Sequence, residues 1–292
     1  MNQLVQQIIN GLSLGSIYAL IALGYTMVYG IIRLINFAHG DMYMLGAYIG
    51  YACITYAKLN FFVSLLISML ACALLGILIE KIAYRPLRNA TRIAALITAI
   101  GVSFFLEYTT MEVMGTSIRT YSGVIQDQVF FFLGARITLQ QIYIFLTTIS
   151  LMVLLQFIVK KTNMGRAMRA VSVDSDAAKL MGIQVDATIS FTFAIGSALA
   201  GAAGILVGVY YNTISPLMGV APGLKAFIAA VFGGIGLIPG AMIGGFSIGM
   251  IETMVSGYGS SLYKDAVVYG ILIVILLLKP AGLLGKHTKE KV

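Results

Sequence analysis

What most constrains this chain is the absence of charge over long distances. Five stretches, 8–32, 61–79, 137–159, 187–224 and 226–251, contain no Asp, Glu, Lys or Arg. Each is near or above the roughly 20 helical residues that cross a hydrocarbon layer of about 30 Å. Shorter runs at 42–57, 93–106 and 266–278 suffice if their polar ends sit in the interface or against protein. A span must satisfy its own backbone hydrogen bonds, and the ten-residue alternation of an outer-membrane barrel is missing. The chain is therefore expected to be all-α: a polytopic transmembrane bundle of eight or nine membrane segments, with broken helices, forming a single transmembrane domain over 1–292. The opening MNQLVQQ has no basic region of the kind that marks a cleavable signal, so the first run is expected to stay as a span.

Only 10% of the 292 residues are charged, and where they fall decides orientation. A net charge of +8 would suggest nucleic acid in a soluble protein. Here the basic residues gather in a loop with Lys81, Arg85, Arg88 and Arg92, a loop with Lys160, Lys161, Arg166, Arg169 and Lys179, and a tail with Lys279, Lys286, Lys289 and Lys291. The positive-inside rule puts all three in the cytoplasm and the weakly charged 115–138, with Arg119, Asp127 and Arg136, outside. Traced from these anchors, the N-terminus is external and the C-terminus cytoplasmic. Residues 224–257 must then leave and return, as a broken pair hinged at Leu237-Ile238-Pro239-Gly240. Gly236, Gly240 and Gly244, like Gly204 and Gly208, repeat every fourth residue, a spacing that lets helices pack closely.

Catalytic chemistry is poorly represented. Gly245-Phe246-Ser247-Ile248-Gly249 fits the nucleophile pattern G-x-S-x-G but lies in an apolar helix rather than a strand-to-helix elbow, and the only histidines are His39 and His287. Gly285-Lys286-His287 lacks the Gly and the Ser or Thr of a phosphate loop, so the chain is not expected to bind ATP. No His, Cys, Asp or Glu spacing suggests a metal, and Cys53 and Cys72 sit in apolar runs where packing explains them. Transport, or a structural membrane role, remains.

Polar groups inside a membrane are candidates for function, because each is costly unless it faces protein or water. Arg33 to Asp41 is the richest such cluster, and Asn36, His39, Gly40 and Asp41 are candidates for a translocation pathway. The alternative is local: Asn36 caps a second helix whose first turn is Phe37 to Asp41. Glu107, Glu112, Lys225 and Glu252 read as interfacial or charge-paired, with Lys225 and Glu252 as possible partners.

The cytoplasmic stretch 162–186 is the most informative. Asp174 or Ser175 can cap a helix, Asp176 suits its positive end, and Gly182 supplies the stop, giving about two turns that need a packing partner. Ala177 and Ala178 leave room for a cleft to close around them, while Leu180, Met181 and Ile183 offer apolar contact. A helix lying on the inner membrane surface is the alternative.

Asp176-Ala177-Ala178-x-x-x-Gly182 resembles the E-A-A-x-x-x-G motif of ABC importer permeases, with Asp in place of Glu. Asn36-Phe37-Ala38-His39-Gly40, Gly165-Arg166-Ala167-Met168-Arg169-Ala170 and Phe232-Gly233-Gly234-Ile235-Gly236 resemble, in that order, the permeases of branched-chain amino acid ABC importers of the LivH type. The resemblance implies a coupling helix that docks on an ATPase, with Arg166, Arg169, Asp174, Asp176, Ala177, Ala178 and Gly182 in the coupling loop 161–185. It implies a homologous second permease, two cytoplasmic ATPases that use the ATP, and an extracytoplasmic substrate-binding protein, in a prokaryotic cell membrane. The arginines would bind the ATPase or anionic lipid. Broken helices and an internal pseudo-repeat would match the interruptions near 33–41 and 233–240, adding Gly233 and Gly234 to the pathway candidates. Urea, short-chain amides or other amino acids are alternative cargoes. A gradient-driven secondary transporter and a passive channel are the rival mechanisms.

Overall fold

Small residues decide which helices stand at the centre. The computed structural model describes residues 2–88, 90–121, 124–125, 128–132 and 134–285; Asp127, Lys286, His287, Lys289 and Lys291, weighed above, lie outside them. Helices α1 (Asn2–Ile32) and α8 (Val185–Tyr211) are 78% and 83% buried over their most apolar windows. The span that begins with α3 (Phe61–Ile79) is 28% buried, and α4 (Arg92–Met114) and α5 (Leu139–Lys161) are 22% buried. The Ser-Ala-Leu-Ala-Gly-Ala-Ala-Gly run of α8 lets α2 (His39–Thr55) approach backbone to backbone: a Cβ on Gly204 would lie 2.1 Å from the Tyr43 carbonyl oxygen. Outer helices instead expose Leu70, Leu74, Phe105 and Val153, as a surface meeting hydrocarbon should.

The remaining membrane segments are α9 (Val220–Gly233), α10 (Ile238–Tyr258) and α11 (Lys264–Leu278). Among the described residues, six helices are long and apolar enough to cross a membrane, and α9 is a shorter apolar helix. With α2, of 17 residues, and α11, of 15, the bundle fits a polytopic helical membrane protein. Antiparallel α1 and α10 close on glycine, Gly15 against Phe246 and Gly245 against Ala19. Two short ladders join the loops at one end: β1 (Arg119–Thr120) pairs with β4 (Thr213–Ile214), and β2 (Val129–Phe132) with β3 (Ala135–Thr138). At the other end lie α6 (Asn163–Val173) and α7 (Ser175–Leu180).

The break after α9 occupies Gly234 to Leu237, where Gly234 and Gly236 have φ of +110° and +91°, and Pro239 falls in the first turn of α10. The hinge is therefore three residues earlier than Leu237–Gly240, because proline is tolerated at a helix start while positive φ demands glycine. Gly240 and Gly244 pack on Gly233 and Ala229, so the four-residue stripe serves close packing, and Gly236 belongs to the turn. Lys225 and Glu252 do pair, at 2.8 Å, with Asp265 2.6 Å from the ammonium and the Tyr18 hydroxyl donating to Glu252 at 2.8 Å. This network ties α9, α10, α11 and α1, and it removes the cost of leaving either buried charge alone.

Candidate functional site

Two places carry chemistry that packing alone does not require. The first is the α6–α7 end. The Asp174 carboxylate accepts from the Asp176 and Ala177 amides at 2.9 Å, capping α7, and Gly182 stops it at φ +81°. Six residues are too few to hold a helix without support, and Ala178 provides it by facing inward at 4% exposure. What remains outward is Asp176, Ala177, Lys179, Leu180 and Met181, the last two 89% and 83% exposed. These two are large apolar side chains left exposed on a charged, capped helix beyond the C-terminal end of α5, the end expected to be cytoplasmic.

Arg166 and Arg169 are exposed but already engaged. Arg166 donates to the Asn163 side chain, and Arg169 to the Val159 carbonyl near the C-terminal end of α5, where a cation suits the helix dipole. Gly165 permits this fold-back, since a Cβ there would lie 2.3 Å from the Ile158 carbonyl oxygen. Arg169 thus staples α6 onto α5, while Arg166 bonds within the first turn of α6.

The second place is a cleft of about 440 Å³ between α2, α4 and α9. Residues 33–38 double back after α1, so that α2 starts at mid-depth, beside Ser103 at the midpoint of the 23-residue α4. Helix α9 starts there too: a Cβ on Gly219 would lie 2.6 Å from the Gly40 carbonyl oxygen. Two helix N-termini therefore meet inside the bundle, each with a positive dipole end. Asp41 accepts from the Ser103 hydroxyl, Glu107 lies one turn further along α4, and Leu96, Ile100, Phe104 and Leu224 supply apolar walls. Among the described residues no group of three His, Cys, Asp or Glu could hold a metal.

Of the sequence-derived pathway candidates, the cleft gathers Gly40 and Asp41. Asn36 does not cap α2: that position is Ala38 with no side-chain bond, and the Asn36 amide oxygen accepts instead from the Tyr84 hydroxyl at 2.8 Å. The helix starts at His39, whose Nε2 lies 3.2 Å from the Ile21 carbonyl oxygen. Its ring fills the space over Gly24. Gly233 and Gly234 lie at the far end of α9, about 20 Å along its axis, packed against Gly240 and Gly285. The break at 33–38 leads into Gly40, which meets the turn before Val220 at Gly219, whereas the break at 233–240 lies at the other end of α9.

The model of the family described as branched-chain amino acid transport system / permease component matches residues 7–276. The chain belongs to this family. It is 43% identical to the high-affinity branched-chain amino acid transport system permease protein LivH of Salmonella typhimurium, over 99% of this chain and 97% of that protein. The BraD permease protein of the equivalent Pseudomonas aeruginosa system is 42% identical over 99% and 98%. A probable LivH permease of Methanocaldococcus jannaschii is 29% identical over 94% and 90%.

Sequence reasoning about this permease missed Ser103, Gly219 and Gly223 as partners of Gly40 and Asp41, and it read Glu107 as interfacial or charge-paired rather than as lining the cleft. The contacts cross between helices 62 or more residues apart, as between Ser103 and Asp41, and no local pattern announces them. A usable signal was present at 212–219, where Asn, Ser and Pro interrupt the longest apolar run.

Proposed function

We propose that this permease is the membrane-spanning subunit of a binding-protein-dependent ABC importer for the branched-chain amino acids leucine, isoleucine and valine. The observation that carries the reading is end-to-end similarity, 43% over 99% of the chain, to a permease of a high-affinity branched-chain amino acid system. The working unit comprises a second, homologous permease, two cytoplasmic ATPases and an extracytoplasmic binding protein. The α6–α7 end faces the cytoplasm, the N-terminus lies outside, and the C-terminus lies inside.

In this reading an ATPase receives Ala177, Leu180 and Met181, and closure of the ATPases on ATP pushes α7. Arg169, by fixing α6 to α5, makes the push act on the bundle rather than on a loose loop, and Arg166 braces the first turn of α6. The cargo passes along the cleft at Gly40 and Asp41, whose apolar walls accept an aliphatic side chain while its polar centre accepts the charged ends of an amino acid. ATP is bound and hydrolysed by the partner chains, and this chain supplies the route.

Reconstitution in liposomes tests the assignment. Leucine should accumulate only when the ATPases, the second permease, the binding protein and ATP are all present. Accumulation by this chain alone under an ion gradient would establish a secondary transporter. Equilibration without accumulation would establish a channel, and a preference for urea or amides over leucine would overturn the cargo.

A further inference from the structure

We propose that residues 80–88 are the arm that carries the stroke of α7 to the mid-depth cleft, with Asp186 as its coupling point and Tyr84 as its delivery point. The proposal rests on the coupling role assigned to α7 above. Its basis is an unbroken chain of contacts between two places that otherwise lie at different depths of the bundle.

The chain starts at α7. The linker from Met181 to Gln184 is bonded back onto the helix, with the Gly182 amide on the Lys179 carbonyl at 3.0 Å and the Ile183 amide on the Ala178 carbonyl at 3.0 Å. A displacement of α7 therefore reaches the first turn of α8 rather than dissipating in a slack loop. Asp186 lies in that turn, and its two oxygens accept from Arg85 and Arg88. Arg88 also donates to Glu80, which is fully buried and accepts in addition from Ser190 of α8 at 2.6 Å. The arm is thus fastened to α8 at two levels.

Its backbone is unusual in the same place. Helix α3 widens into a π-helical turn over Glu80–Tyr84 and then tightens to a 3-10 turn over Arg85–Leu87. Such π-turns inside α-helices are rare and cluster at functional positions. Here the turn places Tyr84 between α8, where its ring lies 5.3 Å from that of Phe193, and the doubled-back segment before α2. The Tyr84 hydroxyl donates to the Asn36 side chain, and the Asn36 carbonyl in turn accepts from the His39 amide at 3.1 Å. Asn36 is thereby a hinge pin: one side holds the arm, the other holds the first residue of α2. Gly40 and Asp41 follow at once, in the cleft.

Burial divides the labour along this route. Asp186 and Arg85 are about half exposed, at 50% and 48%, where an ion pair is held weakly enough to break and re-form in each cycle. Glu80, Tyr84 and Asn36 are at most 4% exposed, where losing a partner is costly and the contact persists. The outer joint is the switchable one and the inner joint is permanent. These are positioning residues: none needs to touch cargo or ATP.

The test is the coupling ratio, leucine imported per ATP hydrolysed, in proteoliposomes holding the complete importer. Tyr84→Phe removes one hydroxyl and keeps the ring. Asp186→Asn removes the charge between the two arginines. Each should leave stimulated ATP hydrolysis within about 2-fold of the unaltered complex and lower the ratio at least roughly 5-fold, and the double variant should be no worse than the more severe single, since both cut one route. Asp186→Glu should restore the ratio to within about 2-fold. An unchanged ratio in both singles would overturn the arm while leaving the importer assignment intact. So would a parallel fall in hydrolysis and uptake, which would assign these residues to assembly. An unaltered complex that imports leucine without ATP would overturn the coupling role of α7, and the arm with it.

Discussion

Gly204 shows how little freedom a single residue has at the centre of this bundle. Its added Cβ would lie 2.1 Å from the Tyr43 carbonyl oxygen and 2.6 Å from the Ala47 amide, and backbone cannot step aside as a side chain can. Gly204→Ala should therefore cost about 1–3 kcal/mol through overpacking. A lower midpoint in thermal unfolding of the detergent-solubilised protein would register it. Gly101 on α4 meets nothing within 4 Å, so Gly101→Ala should be neutral or gain up to about 1 kcal/mol from helix propensity. Both residues read identically in the sequence, as glycines in apolar helices. What separates them is the neighbour, and a neighbour 157 residues away, as Gly204 is from Ala47, leaves no local trace. Asn36 teaches the same lesson in reverse. Its position before a helix made it a plausible cap, yet the Tyr84 hydroxyl claims its side chain from another helix.

At the scale of elements, local chemistry was far more legible. Asp174 or Ser175 as cap, Gly182 as stop and about two turns between them follow from side-chain preferences within a few residues, and the structure selects Asp174 as the cap. Asp174→Ala should remove about 1 kcal/mol of cap energy and speed hydrogen exchange at Ala177 and Ala178 roughly 5-fold. Unchanged exchange would mean that packing of Ala178, not the cap, holds the helix. The long spans were legible for the same reason, because hydrocarbon imposes one length and one polarity on every crossing segment. Helix α9 was harder. It begins inside an apolar run at Val220, and only the meeting of Gly219 with Gly40 explains why the chain starts a helix at mid-depth there.

For the whole molecule, orientation and coupling stand together. In the proposed function the three basic clusters and the α6–α7 end share one cytoplasmic face. A Ser175→Cys variant in a Cys53→Ser background should react with a membrane-impermeant maleimide in inverted vesicles and not in intact spheroplasts, while Cys72, fully buried, stays silent. Labelling in spheroplasts would invert the topology and put α7 beyond reach of an ATPase. Family membership was readable because three motifs fall in order along nearly the whole chain; the arrangement of the cleft was not, since it is a product of packing between distant segments.

The central claim is that ATPase motion enters the permease through α7. ATP-driven leucine uptake by the complete importer, carrying Asp176→Lys together with Ala177→Trp, tests it most directly, because both residues are exposed and outside the packed core. The account predicts normal membrane insertion and the same unfolding midpoint, with uptake lost. Uptake at the level of the unaltered importer would contradict it.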